Sequence, residues 1–290
     1  MGSESSHQIR GDAQDVKFFE RIDGHLPRAF VRVMRQLPAE PRCRLCAAPF
    51  AGFGGRVMRR FGFGPSRKNP TLCNTCFEKA PMGGVEMEIG VLFADVRGFT
   101  AFAEQTAPEQ VASILNRFYG AATEVLSKHA IIDKLVGDEV MALYLPQLFP
   151  GRWHQDMVQD ASELLAAAGY GSAAEPWLRL GVGLDVGTAY VGNVGSGEVK
   201  DFTALGDVVN SAARLQACAA GGQIVMSERL FEQLADDAPE ATSAEFVLKG
   251  KSDPQRARVI DVSDRTDAAL CDEVAAAPAT HSSTQPHSNA

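Results

Sequence analysis

From residue 86 onward, apolar and polar positions alternate between two periods. Strand-like runs occupy 87–95, 130–136, 139–145, 178–187, 199–204, 222–226, 244–249 and 256–262. Helical spacing fits 99–105, 108–128, 154–168, 206–219 and 227–236. Pro108 suits the first turn of its helix, where a missing N–H costs nothing. The runs within 130–145 are joined by Gly137-Asp138, the signature of a tight hairpin. This order predicts an α/β fold, an α+β sandwich in which helices cover one face of a sheet.

The region before residue 85 reads differently. Val16, Phe19, Ile22, Leu26, Phe30, Val33, Met34 and Leu37 recur at helical spacing, with Asp15 as N-cap and Pro38 beyond the end. Gly24 and Pro27 divide 15–37 into two shorter helices. Residues 38–84 are rich in Cys, Gly, Pro and Arg, and would bury little core without a metal or a neighbour. Residues 1–14 and 263–290 are polar and read as disordered. The expected division is 1–14, helices at 15–37, a cysteine module at 38–84, a large domain at 85–262 and a tail.

Charge sharpens that division. Residues 1–84 carry 14 Lys/Arg against 7 Asp/Glu, while 85–290 carry 14 against 29. The overall balance of -8 argues against nucleic acid as a partner. No run of 18 apolar residues exists, so no membrane span is expected. The first residues lack a secretory signal's apolar stretch, and four of six cysteines form two CxxC pairs, as in a reducing compartment. A cytoplasmic location is the expectation.

Three segments concentrate candidate chemistry. VLFADVRGFT (91–100) ends an apolar strand in Asp95, and DKLVGDEVMALYL (133–145) places Asp138 at a hairpin tip. Paired carboxylates at strand ends suit Mg²⁺ or Mn²⁺, which share such sites with phosphates; each aspartate alone reads first as an ordinary turn residue. In DFTALGDVVNSAARL (201–215), Asn210 and Arg214 stand four apart on one helix face, after Gly206 at the helix start. Such an arginine can grip a phosphate bidentately. Lys249 and Lys251 flank Gly250 in a basic turn able to touch a polyphosphate.

FADVRGFT, KLVGDEVMA, GTAYVGNVGS, FTALGDVVNSAARL and LKGK together resemble the catalytic domain of class III nucleotidyl cyclases, from about residue 86 to 262. The resemblance implies a ferredoxin-like core and conversion of ATP or GTP to a 3′,5′-cyclic nucleotide and pyrophosphate. It implies that Asp95 and Asp138 hold two Mg²⁺ or Mn²⁺ ions, that Lys134 and Thr203 read the purine, that Asn210 orients the ribose, that Arg214 stabilises the transition state and that Lys249 meets the terminal phosphates. Lys at the first purine position and Thr at the second point to ATP; guanylyl cyclases resembling this chain carry Glu and a small residue there. The family's site is shared across a head-to-tail dimer, which implies a homodimer with two equivalent sites. The hairpin before Thr203 holds Lys200 as its only cation, opposed by Glu198, where relatives carry more basic residues. Adenylyl cyclase activity is the leading expectation. A guanylyl cyclase and a weakly active nucleotide-binding regulatory module are the alternatives.

Cys43, Cys46, Cys73 and Cys76 form two CxxC knuckles, 26 residues apart. Four thiolates suit a closed tetrahedral Zn²⁺ site, and the same ligands can hold an iron–sulfur cluster. The intervening segment is basic with Phe50, Phe53, Phe61 and Phe63, and can wrap the N-terminal helices or contact a single strand. A regulatory role for this module is the expectation.

Overall fold

A computed structural model describes residues 10–12, 28–36, 41–66, 70, 72–79, 83–149, 151–172, 174–196, 199–247 and 254–262. The expected disorder at 1–14 and 263–290 falls almost wholly outside this range, as do Lys249, Lys251 and the first expected helix of 15–37. The described elements are β1 (Arg10–Gly11), α1 (Arg28–Gln36), α2 (Gly52–Arg60), α3 (Asn74–Lys79), β2 (Gly83–Val96), α4 (Phe99–Glu104) and α5 (Pro108–Leu126). Then come β3 (Ile131–Val136), β4 (Glu139–Tyr144), α6 (Trp153–Ala167), β5 (Leu180–Ser196), β6 (Val199–Leu205) and α7 (Asp207–Cys218). The chain finishes with β7 (Gln223–Ser227), α8 (Glu228–Leu234), β8 (Thr242–Phe246) and β9 (Gln255–Asp261).

One sheet runs β3-β4-β2-β5-β7-β9-β8, with β1 added to β2 and β6 to β5. β2, α5, β3, β4, α6 and β5 form a βαββαβ unit whose strands lie in the order β3-β4-β2-β5, a ferredoxin-like core with every neighbour antiparallel. Only β5 and β7 pair in parallel among these strands. β2 takes this central place because its residues from Ile89 to Ala94 are apolar without interruption, and a strand buried on both faces needs that pattern.

Side-chain alternation then sends β2 into two cores. Leu92, Ala94 and Val96 pack with α5, α6 and α8 through Phe118, Ala122, Met157, Leu164 and Leu230. Val85, Met87, Ile89, Val91 and Phe93 face the other way, where the cover is α7, through Val208 and Ala212, and the cysteine module. The expectation of helices on one face alone is therefore incomplete. The module supplies the missing cover, and the sheet supplies the core the module lacks. Arg44 bolts the two together: its guanidinium donates to the carbonyls of Ser127 (3.3 Å) and Lys128 (2.5 Å), at the end of α5, and lies 4.9 Å over the Phe149 ring. Cations favour a helix C-terminus, where carbonyls lack partners.

Two further departures have local causes. β5 extends to Ser196, beyond the expected 187, and forms a long arm with β6. The glycines that disguised this segment are what let backbones approach. A Cβ on Gly192 would stand 2.2 Å from the Gly83 carbonyl oxygen. In the module, α2 forms despite three glycines, because Gly55 and Met58 are buried.

The larger core also buries a polar network. Asp160 of α6 is fully buried, accepts from the Tyr144 hydroxyl (2.9 Å) and contacts His129 Nδ1 (2.9 Å). Burial pushes its carboxyl up to about 6, against the pull of His129 and Tyr144. Because this lies above the ordinary 3.8, the associated stability is full below that value and is lost as pH rises through about 6. Asp160→Asn keeps an acceptor for Tyr144 and removes the titration. Urea unfolding should show the Asn protein gaining on the parent by roughly 2.5 kcal/mol between about pH 4 and about pH 7.5. A gap that does not change with pH would mean Asp160 titrates normally.

Candidate active site and cysteine cluster

β2 ends at a rim, and its register brings Asp95 opposite Glu139, the first residue of β4. The two-residue turn Gly137-Asp138 precedes Glu139. Gly137 has φ +59°, a left-handed conformation that glycine adopts without a steric cost. The turn is anchored from two sides: the Val96 N–H donates to the Asp138 carbonyl (3.2 Å), and the Tyr119 hydroxyl of α5 donates to the Gly137 carbonyl. Asp95 and Asp138 thus stand together on rigid supports. Burial raises the Asp138 carboxyl above its ordinary range, and the Asp95 charge and contact raise it further. Glu139 is raised by burial, then by Asp95 and Asp138. Arg97 is a cation at this rim, paired with the Asp95 carboxylate and donating to its carbonyl (3.3 Å). Carboxylates crowded at one rim, where burial and like charge oppose the ionised form of Asp138, suit a divalent cation, which would favour that form. Arg97 and Glu139 belong to this rim, and only their adjacency to the two aspartates could have flagged them in the sequence.

The β5–β6 arm reaches back across the second face to β3. There the Thr203 hydroxyl donates to Asp133 Oδ2 (2.8 Å), next to the exposed Lys134. A β-bulge lies between Ile132 and Lys134, with Asp133 as the residue that has no partner position on β4. Lys134 and Thr203, 69 positions apart in sequence, are therefore neighbouring parts of one surface. Asp133 was not singled out by its sequence pattern, since a bulge becomes visible only once the strands are in register.

Asn210 is exposed and Arg214 half-exposed on the outer side of α7, whose inner side buries Val208, Ala212, Leu215 and Gln216. Gly206 caps the helix in extended conformation. Among the described residues, no hydrogen bond or ion pair ties Asn210 or Arg214 to Asp95 or Asp138. Lys249 lies outside the described residues.

The four module cysteines converge. Cys43, Cys46, Cys73 and Cys76 are all buried, and their Sγ atoms lie within 4.8 Å of one another. The Cys46 and Cys73 sulfurs are 3.7 Å apart. For Zn–S bonds of about 2.3 Å, a tetrahedron has S···S edges of about 3.8 Å, so the cluster is sized for a single ion. An iron–sulfur cluster inserts several irons and sulfides between the thiolates and would hold them farther apart. The Cys73 N–H donates to Cys43 Sγ (3.2 Å) and the Cys76 N–H to Cys73 Sγ (3.3 Å), as suits sulfurs carrying negative charge. Hydrogen bonds from the other three cysteines hold Cys43 far below the usual thiol range, while contacts with Cys43 and Cys73 push Cys46 up and contacts with Cys43, Cys46 and Cys73 push Cys76 up. Four thiols so crowded ionise together only around a cation.

Known proteins share the larger domain. An adenylate cyclase of Mycobacterium tuberculosis (strain CDC 1551 / Oshkosh) is 33% identical over 172 residues, covering 57% of this chain and 37% of that protein. A further M. tuberculosis protein, uncharacterized, from strain H37Rv, is 30% identical over 210 residues, or 71% of this chain and 35% of its own length. The chain thus spans about a third of the length of these relatives. Among solved structures, the guanylyl cyclase Cya2 superposes with a TM-score of 0.57 at 29% identity, over 63% of this chain and 96% of that one. The adenylyl cyclase CyaB from P. aeruginosa superposes with a TM-score of 0.53 at 27% identity, over 61% and 95%. Residues 85–259 match the family described as the adenylate and guanylate cyclase catalytic domain. That match covers more than half of the chain, and the chain belongs to this family.

Proposed function

We propose that this chain is an adenylyl cyclase that converts ATP to 3′,5′-cyclic AMP and pyrophosphate at sites shared between two copies. Membership of the cyclase family supports the reaction class. The observation that carries the choice of ATP is the position of the Thr203 hydroxyl beside the strand that bears Lys134. Lys134 donates to a ring nitrogen of adenine, and the Thr203 oxygen accepts from the exocyclic amine. Asp95 and Asp138 hold two Mg²⁺ or Mn²⁺ ions. Bound there, such ions supply a lowered pKa at the ribose 3′-hydroxyl and charge neutralisation at the triphosphate. The 3′-oxygen bonds to the α-phosphorus, the bond to the β-phosphate oxygen breaks, and the hydroxyl proton leaves to solvent or a phosphate oxygen. Asn210 orients the ribose, Arg214 donates to the charge that grows at the α-phosphate, and Lys249 holds the terminal phosphates.

Steady-state assays with Mn²⁺ should give cyclic AMP from ATP at a higher kcat/KM than cyclic GMP from GTP. GTP is the competing substrate because a guanylyl cyclase is also among the similar structures, and a preference for GTP would replace the ATP reading with that one.

The reading of a shared site rests on the head-to-tail dimer that the family resemblance implies, one copy bringing Asp95 and Asp138 on the rim and the other Asn210 and Arg214 on α7. Asp95→Ala and Arg214→Ala should each abolish activity. Equal mixtures, allowed to exchange subunits, should regain about a quarter of the parental rate, since half the dimers then hold one intact site of two. Complete failure to recover, with exchange confirmed, would mean that each copy builds its own site.

The cysteine cluster is proposed as a structural Zn²⁺ site that regulates by holding the module on the sheet face it shares with α7. Metal analysis should find about one zinc per chain in colourless protein. Cys46→Ser should remove the metal, lower Tm by several degrees and reduce cyclase activity as the packing under α7 loosens. One iron per chain, with visible absorbance, would assign the site to iron instead.

A further inference from the structure

Thr203 has an ambiguous side chain for a residue that must tell two purines apart. A threonine hydroxyl carries one proton and two lone pairs, so it can donate or accept. At position 6 adenine offers an amine donor and guanine a carbonyl acceptor. A freely turning hydroxyl can satisfy both. The structure removes that freedom. The Thr203 proton is committed to Asp133 Oδ2 at 2.8 Å, and a carboxylate can only accept. Thr203 is 6% exposed, so water has little room to compete for this bond.

We propose that Asp133 is a specificity-determining positioning residue, which fixes the Thr203 hydroxyl as an acceptor and so selects adenine over guanine. The inference rests on the ATP reading above. The Thr203 oxygen then meets the adenine amine as a matched pair. Against guanine it meets another acceptor, and a buried acceptor facing an acceptor costs at least the lost hydrogen bond. The bulge in β3 makes the arrangement possible. In a regular strand, consecutive side chains point to opposite faces. With Asp133 as the extra residue, the strand is released from that alternation and can turn it toward Thr203 while Lys134 follows directly in sequence.

The test compares kcat/KM for ATP and for GTP, with Mn²⁺ and the full chain, in the parent and in Asp133→Asn, Asp133→Leu, Asp133→Glu and Thr203→Val. Dissociation constants for 3′-deoxy-ATP and 3′-deoxy-GTP, which cannot cyclise, give the same ratio for any variant that has lost turnover. Asn can turn its amide to donate to Thr203, freeing the hydroxyl to donate to guanine. Asp133→Asn and Asp133→Leu should therefore lower the ATP-to-GTP ratio about tenfold, largely by improving GTP. Asp133→Glu, still an acceptor only, should keep most of the parental ratio. In the Thr203→Val background, adding Asp133→Asn should leave the ratio where it is, because the hydroxyl being oriented is gone. A merely structural role for Asp133 would weaken both nucleotides equally. A parental preference for ATP that survives in folded Asp133→Asn and Asp133→Leu overturns this inference alone. A parent without preference for ATP overturns the ATP reading, and this inference with it.

Discussion

β2 is paired along both edges and covered on both faces, and the rest of the molecule is arranged to permit that. Its neighbours are β4 through residues 90–95, the short β1 at Val85 and Glu86, and β5 along its whole length. Eight apolar side chains, from Val85 to Val96, are almost wholly withdrawn from water. At roughly 1.5–3 kcal/mol for a large side chain and less for Ala94, their burial contributes on the order of 10–20 kcal/mol. That is an upper figure, because an unfolded chain already hides some surface, yet it is comparable to the whole net stability of an ordinary domain. Neither cover can be dispensed with. The same rigidity carries Asp95 to a fixed point on the rim, so the constraint that stabilises the fold also places its chemistry.

Two acidic sites show how differently this fold treats buried charge. Asp185 of β5 is fully buried, but Arg229 of α8 meets it with its Nε at 2.7 Å and a second donor alongside. That pair is balanced and ties a helix to the sheet. At the rim, Asp95, Asp138 and Glu139 share Arg97, with Lys134 also acting on Glu139, and both Asp138 and Glu139 are still held above their ordinary range. A charge deficit of this kind costs stability, and its concentration at one point is a mark of function rather than of packing. The cysteine cluster is a second concentration of the same type, built from thiols on the opposite cover.

Much of this was legible in the chain. Unbroken apolar runs identified β2 and β4, Gly137-Asp138 identified the hairpin, and helical spacing located α5, α6, α7 and α8 to within a residue or two. The βαββαβ order followed from their succession. Three features were not legible, each for a physical reason. The second half of β5 is glycine-rich, and glycine weakens a strand pattern even where close backbone approach is what the strand needs. The helix α2 sits in a Gly- and Arg-rich stretch whose propensity is poor, and burial of Met58 overrides it. The bond between Thr203 and Asp133 joins residues 70 apart, and nothing local to either announces it.

The merged core of module and sheet also bears on how the chain is made. Synthesis proceeds from the N-terminus, so the cysteine module and β2 emerge together, while β5 begins about a hundred residues later. At about 5–20 residues per second, that interval lasts roughly 5–20 s. Throughout it, β2 has no partner on its β5 edge, and α7, which shares its second face with the module, has not yet been translated. Among the described residues, the module, with Met34 of α1, is the part of that face's cover already synthesised. Its place ahead of β2 in the sequence puts a shield for the nascent strand at hand before the sheet exists.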